Sequence, residues 1–124
     1  MTSQVAVVVV IDDDLSVRES LPDLLMEFGY PVEAFPSAEA FLESDWVGRT
    51  RCLILDVAMP GMTGPELQRE LTARCEDIPI VFITAQQDTT VRPRLMAHGA
   101  VECLFKPFSD EALLRAVTAA CGPT

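Results

Sequence analysis

Val5-Ala6-Val7-Val8-Val9-Val10-Ile11-Asp12-Asp13-Asp14 is seven apolar residues running without a polar break into three aspartates. A strand with one wet face alternates apolar and polar side chains. An unbroken run of β-branched residues therefore marks a strand covered on both faces. Cys52 to Val57 and Ile78 to Thr84 have the same character, and a shorter run spans Val101 to Phe105. Pro31-Val32-Glu33-Ala34-Phe35 does alternate, and its leading proline suits an edge strand.

Helical patterns fill the gaps. Val17, Leu21, Leu24, Leu25 and Phe28 recur at helical spacing and stop at Gly29. Ser37 is placed to cap Ala38 to Glu43, with Glu39 favourable in the first turn. Gly64-Pro65 opens a third helix, since proline at a helix start forfeits no hydrogen bond. Gln86 to His98 reads as a fourth, ended by Gly99, and Ser109 caps a fifth that begins Asp110-Glu111. Pro22 predicts a kink in the first helix, and Pro93 predicts that the fourth starts late, is short or is displaced.

Strand then helix, five times, predicts a doubly wound α/β/α sandwich of three layers around a five-stranded parallel sheet. Neither a linker nor a repeat interrupts residues 1–124, so a single domain is expected, with its core over about 5–120. The formal net charge of −10 argues against a nucleic-acid or anionic-membrane surface, which would need Lys and Arg to displace counterions. A metal ion or a basic partner patch suits it better. Cys52, Cys75, Cys103 and Cys121 are widely spaced, unlike a zinc site or a small secreted disulfide framework, and are expected as reduced thiols. With no basic leader and too short a first apolar run for a signal or a span, the expected compartment is the cytoplasm.

In such a sheet, ligands sit beyond the carboxyl ends of the strands. Those ends carry Asp12-Asp13-Asp14, Asp56, Thr84 and Lys106. Carboxylates converging from two strands repel one another unless a cation lies between them, and an all-oxygen cluster suits Mg²⁺. Lys106 is the only lysine in the chain, a compact charge able to reach a carboxylate or a phosphoryl oxygen. Thr84 adds a hydroxyl. These parts match the positioning and charge neutralisation that phosphoryl transfer requires, and a carboxylate is a competent phosphoryl acceptor. Asp14 is expected to cap a helix, His98 to sit exposed at a helix end, and Met59, Met62 and Met96 to fill packing gaps.

Asp56-Val57-Ala58-Met59-Pro60-Gly61-Met62-Thr63-Gly64 resembles the D-x-x-M-P-x-x-x-G segment of response-regulator receiver domains in two-component (His-Asp phosphorelay) signalling. Ile11-Asp12-Asp13 is similar to their acidic pair, Ile83-Thr84-Ala85 to their switch threonine, and Lys106-Pro107-Phe108 to their lysine-proline turn. The likeness runs from about Val5 to Ala120. It implies the flavodoxin-like strand order 2-1-3-4-5 and a phosphoacceptor, Asp56, that attacks a phosphohistidine on a sensor histidine kinase or histidine phosphotransfer protein. It implies Mg²⁺ held by the Asp13 and Asp56 side chains and the Ala58 backbone carbonyl, with Asp12 acting mainly through a water. Thr84 and Lys106 would grip the phosphoryl oxygens. The fourth helix, fifth strand and fifth helix would form the output face toward an output domain or protein partner, with a homodimer on phosphorylation as one assembly. Such a domain catalyses its own phosphorylation and dephosphorylation rather than turning over a substrate.

One position departs from the pattern. Receiver domains usually carry Tyr or Phe three residues before the lysine, and Cys103 stands there, expected as a buried inert thiol. Coupling would then pass through Phe105 or a helix shift. Two rival functions follow from the same residues. A degenerate receiver-like interaction module would work without phosphorylation. An aspartyl-phosphate hydrolase would instead carry its nucleophile in a D-x-D pattern after the first strand and need extra chain for a lid.

Overall fold

The computed structural model describes residues 6–85 and 90–122. Its elements run β1 (Val7–Ile11), α1 (Leu15–Glu27), β2 (Val32–Phe35), α2 (Ala38–Leu42), β3 (Thr50–Asp56), α3 (Gly64–Ala73), β4 (Ile80–Thr84), α4 (Val91–Ala97), β5 (Glu102–Phe105) and α5 (Asp110–Cys121). A single 3-10 turn, Val47–Arg49, precedes β3. All strand pairs are parallel, in the order β2-β1-β3-β4-β5.

The unbroken apolar runs are explained by two cores, one on each face of the sheet. Val7, Val9, Ile11, Leu53, Leu55, Ile80 and Phe82 point to one face and meet Ala38 and Phe41 of α2, Leu67 and Leu71 of α3, and Leu95 of α4. Val8, Val10, Cys52, Ile54, Val81 and Ile83 point to the other and meet Leu21 and Leu25 of α1 and Leu113, Ala116, Val117 and Ala120 of α5. Successive strand residues face opposite ways, so a strand between two helical layers must be apolar at every position. β2 lies at the edge and is nowhere fully buried, which fits its alternating sequence.

Local chemistry sets the helix ends. Asp14 caps α1, accepting the Ser16 N–H at 2.9 Å, and Ser37 and Ser109 cap α2 and α5, each accepting at 3.0 Å from the third residue on. At α3 the capping is reciprocal: Thr63 Oγ1 accepts the Glu66 N–H while Glu66 Oε1 accepts the Thr63 N–H at 2.8 Å. Gly29 and Gly99 follow α1 and α4 with φ of 90° and 99°, the left-handed backbone that glycine enters without strain.

Several bounds move from those expected. Among the described residues β1 starts at Val7, Val5 lying outside them; β2 begins at Val32 and β5 at Glu102. β3 runs from Thr50 and ends at Asp56. β4 starts at Ile80 rather than Ile78, because Pro79 has no N–H to give the ladder. α1 continues through Pro22 to Glu27. As Pro93 predicts, α4 is short: among the described residues it begins at Val91 and lasts seven residues, so Pro93 falls in its first turn, where an amide N–H has no intrahelical acceptor. Residues 86–89 of the helix expected from Gln86 lie outside the described residues.

Gly64 holds α3 against the sheet. Its N–H donates to the Val57 carbonyl at 3.0 Å, and a Cβ there would collide with the Asp56 carbonyl oxygen while meeting Phe82 and the Val57 Cα at 3.1 Å. Two of these three neighbours are backbone and cannot swing away. Gly64→Ala is expected to lower unfolding stability by about 1–3 kcal/mol, read as a lower urea midpoint at unchanged slope.

Candidate functional site

The parallel register brings the strand ends to one edge. Ile11 pairs with Leu55, so Asp12 and Asp56 follow as neighbours on β1 and β3. Asp56 in turn pairs with Ile83, and Thr84 with Phe105, which sets Thr84 and then Lys106 one step further along. No single motif achieves this convergence; the hydrogen-bond ladder between strands does.

Asp12, Asp13 and Asp56 each offer a carboxylate oxygen, and these oxygens lie within 4.8 Å of one another. Asp12 and Thr84 are fully buried, Asp56 is 6% exposed and Asp13 is open to solvent. Lys106 Nζ donates to Asp12 Oδ2 at 3.1 Å, while the other Asp12 oxygen accepts the Asp14 N–H at 2.9 Å. The Lys106 N–H donates to the Thr84 carbonyl at 2.8 Å, and the Lys106–Pro107 peptide is cis. All the sequence-predicted acids are thus brought together, with Lys106 on Asp12 and Thr84 buried on the adjacent strand. Ala58 is exposed just past Asp56.

Asp56 is pushed up to about 7 from 3.8, first by burial and then by the neighbouring charge of Asp12. The Lys106 charge and the nearby Ala58 N–H pull the other way. A buried carboxylate beside another carboxylate holds its negative charge poorly, which is the condition a bound cation relieves. Exposed edge, all-oxygen donors and excess negative charge together fit a hard divalent ion that retains water.

Two side chains that shape this edge were not singled out for it in the sequence. Arg18 Nη1 donates to the Asp12 carbonyl at 2.9 Å. Glu39 Oε2 accepts the Met62 N–H at 3.0 Å, tying α2 to the loop after Asp56. Glu39 carried the signal of a first-turn helix acid and nothing more, since its partner is 23 residues away. Cys103 is buried in β5, and burial raises its thiol above the usual range. Its N–H donates to Glu102 Oε1 at 2.9 Å, the oxygen that also takes the Arg92 guanidinium at 2.6 Å and so links the start of α4 to β5. His98 is exposed at the end of α4, with Nδ1 2.8 Å from the Arg94 carbonyl. Met59 is buried, and Met62 and Met96 pack against the same core.

The family model of the response regulator receiver domain matches residues 8–118. The chain belongs to that family. Nodulation protein W of Bradyrhizobium diazoefficiens is 46% identical over 115 residues, 93% of this chain and 51% of the relative. Among solved structures, the response regulator StyR superposes with a TM-score of 0.86 at 49% identity, covering 94% of this chain and 59% of that one. FixJ-N gives 0.84 at 34% identity, covering 98% and 95%. The chain is therefore a receiver domain of the two-component response-regulator type, with the flavodoxin-like strand order expected of it. It spans about half the length of the curated relatives it matches.

The elevated Asp56 carboxyl has a stability consequence with a definite sign. A folded-state value of about 7 against 3.8 unfolded means that the folded protein holds the proton more tightly. Its contribution is fully present below 3.8 and is lost as pH rises through about 7. In metal-free buffer Asp56→Asn is expected to be more stable than wild type above pH 7 by about 1–2 kcal/mol, the gap closing toward low pH. Urea unfolding of both proteins across that pH range checks it. Added Mg²⁺ is expected to raise the wild-type melting temperature and to do so far less in Asp56→Asn.

Proposed function

We propose that this receiver domain is a Mg²⁺-dependent phosphoacceptor whose Asp56 takes a phosphoryl group from the phosphohistidine of a sensor histidine kinase or histidine phosphotransfer protein. The observation that carries this reading is the cluster itself. Three carboxylates converge within 4.8 Å at the sheet edge, with the only lysine in the chain bonded to one of them.

The Asp13 and Asp56 side chains and the Ala58 backbone carbonyl would hold the ion, with Asp12 reaching it through a water. When bound, it supplies charge neutralisation to the carboxylates and to the incoming phosphoryl oxygens. Asp56 is the nucleophile: one carboxylate oxygen forms a bond to phosphorus as the bond from phosphorus to the donor imidazole breaks, and the imidazole leaves with its electron pair and takes up a proton. Lys106, bonded to Asp12 at the edge, would exchange that carboxylate for a phosphoryl oxygen. Thr84, one strand further on, donates its hydroxyl to another. The later attack of water on phosphorus regenerates Asp56, so the domain assists its own phosphorylation and dephosphorylation without turning over a separate substrate.

The output surface in this reading is the α4–β5–α5 face. A groove of about 320 Å³ lies there between Val101, Leu104, Ala112, Ala116 and Ala119, flanked by Glu102 and Arg115. Its partner is an output domain, a protein or, on phosphorylation, a second copy. Net charge of −10 favours a protein partner over nucleic acid, and no described helix is long and apolar enough to cross a membrane, in keeping with a cytoplasmic site of action.

Intact mass after incubation with a small phosphodonor such as acetyl phosphate tests the proposal. One added phosphoryl group is expected in wild type, dependent on Mg²⁺, and none in Asp56→Asn. Lys106→Ala is expected to slow the gain by about 10²-fold or more. No gain in wild type, from acetyl phosphate or from any candidate kinase, would favour an interaction module that works without phosphate.

A further inference from the structure

Between α3 and α4 lies a cavity of about 130 Å³ that the site described above does not use. Val57, Pro65, Val91 and Leu95 form its apolar part, and Gln68, Arg69, Arg94 and His98 complete the wall. The two helices are fastened to one another here. Gln68, only 6% exposed, donates from Nε2 to the His98 carbonyl at 3.3 Å. That bond holds the end of α4 to the middle of α3, so the space is formed before anything enters it.

Charge sets this cavity apart from the rest of the surface. The chain carries 19 Asp and Glu against 9 Lys and Arg, so most cations have a carboxylate within reach. Arg74, Arg92, Lys106 and Arg115 are in salt bridges, Arg18 donates to a backbone carbonyl, and Arg49 lies over the Trp46 ring. Among the described residues that leaves Arg51, Arg69 and Arg94, and the last two line this one cavity. Glu66 stands one turn before Arg69, but its carboxylate accepts the Thr63 N–H in the helix cap and makes no salt bridge.

We propose that the cavity binds a small organic acid, a carboxylate on an apolar body about the size of a benzene ring. The body would lie against Val57, Pro65, Val91 and Leu95, with the carboxylate at the Arg69 and Arg94 guanidinium groups. Size decides the body: an apolar cavity of roughly 150 Å³ takes a benzene-sized group, whereas sites for drug-sized ligands begin at roughly 300 Å³. Size also disfavours a protein partner, since stable docking covers about 800 Å² on each side. The arginines decide the head group, because their planar N–H forks match a carboxylate and are weakly hydrated for cations. Two such groups at one anion reject a neutral molecule of the same shape. Val57, which follows Asp56 directly, accepts the Gly64 N–H at 3.0 Å, so the occupant would lie one residue from the phosphoacceptor. Binding itself needs no phosphoryl group and stands apart from the function proposed above.

The test titrates the full chain, isotopically labelled for amide NMR, with sodium benzoate at constant ionic strength. Saturable shifts are expected at the amides of Val57, Gln68, Arg69, Leu95 and His98, with a Kd of about 1 mM. Arg69→Gln and Arg94→Gln, both at exposed positions, are each expected to weaken binding about tenfold while the rest of the spectrum stays in place. Benzyl alcohol, the body without the charge, and acetate, the charge without the body, are each expected to bind at least about tenfold more weakly than benzoate. No saturable shift at these amides up to about 10 mM benzoate overturns the proposal, as does binding that both arginine variants retain in full. An equal response to acetate or to benzyl alcohol overturns the assigned class of ligand.

Discussion

Two buried carboxylates facing one another are the constraint around which this molecule is organised. Asp12 and Asp56 sit at the ends of adjacent central strands, both nearly or wholly sealed from solvent. Such a pair is unfavourable unless something offsets it. Lys106 offsets part, at 3.1 Å from Asp12, and backbone N–H groups from Ala58 and Asp14 offset a little more. Asp56 still remains far above an ordinary carboxylate. The site is thereby held in an electrostatically incomplete state. That is a poor way to stabilise a fold, and in the function proposed for this domain it is what draws a cation and then a phosphoryl group.

The rest of the architecture keeps that edge in place. Each central strand feeds two cores, and none of the three can shift by one residue without turning its apolar side chains to the wrong face. The register that buries the cores is the register that aligns Asp12, Asp56, Thr84 and Lys106. Packing and function are thus set by the same hydrogen bonds. Gly64 and Glu39 extend the effect outward, one letting α3 approach the backbone of Asp56 and the other fastening the loop beyond it.

At β5 the chain departs from what receiver domains usually carry, and the structure shows what stands there instead. Cys103 is a small buried side chain, and the polar connection from α4 to β5 runs through Arg92 and Glu102 to the Cys103 backbone. That contact is half exposed, so it is a modest energetic tie. Its place on the proposed output face makes it part of any rearrangement of α4. Pro93 lies in the first turn of α4, where a missing N–H forfeits no intrahelical hydrogen bond.

Much of this was legible in the amino-acid order alone. Unbroken Val, Ile and Leu runs mean strands buried on both faces, and their terminal Asp, Thr and Lys must then gather at one edge, because parallel strands end together. Asp14, Ser37 and Ser109 declare three of the helix starts, and Gly64-Pro65 a fourth, by chemistry that acts within three residues. Strand bounds were less legible, since the ladder rather than the residue type decides where pairing begins, as Pro79 and Thr50 show. Contacts between distant segments were not legible at all: Arg18 on the Asp12 carbonyl and Glu39 on Met62. Local sequence acts through propensity and periodicity, which determine the elements and the kind of residue at each end. Which side chains meet across the fold, and how far burial moves the Asp56 carboxyl, are decided only when tertiary packing removes the water between them.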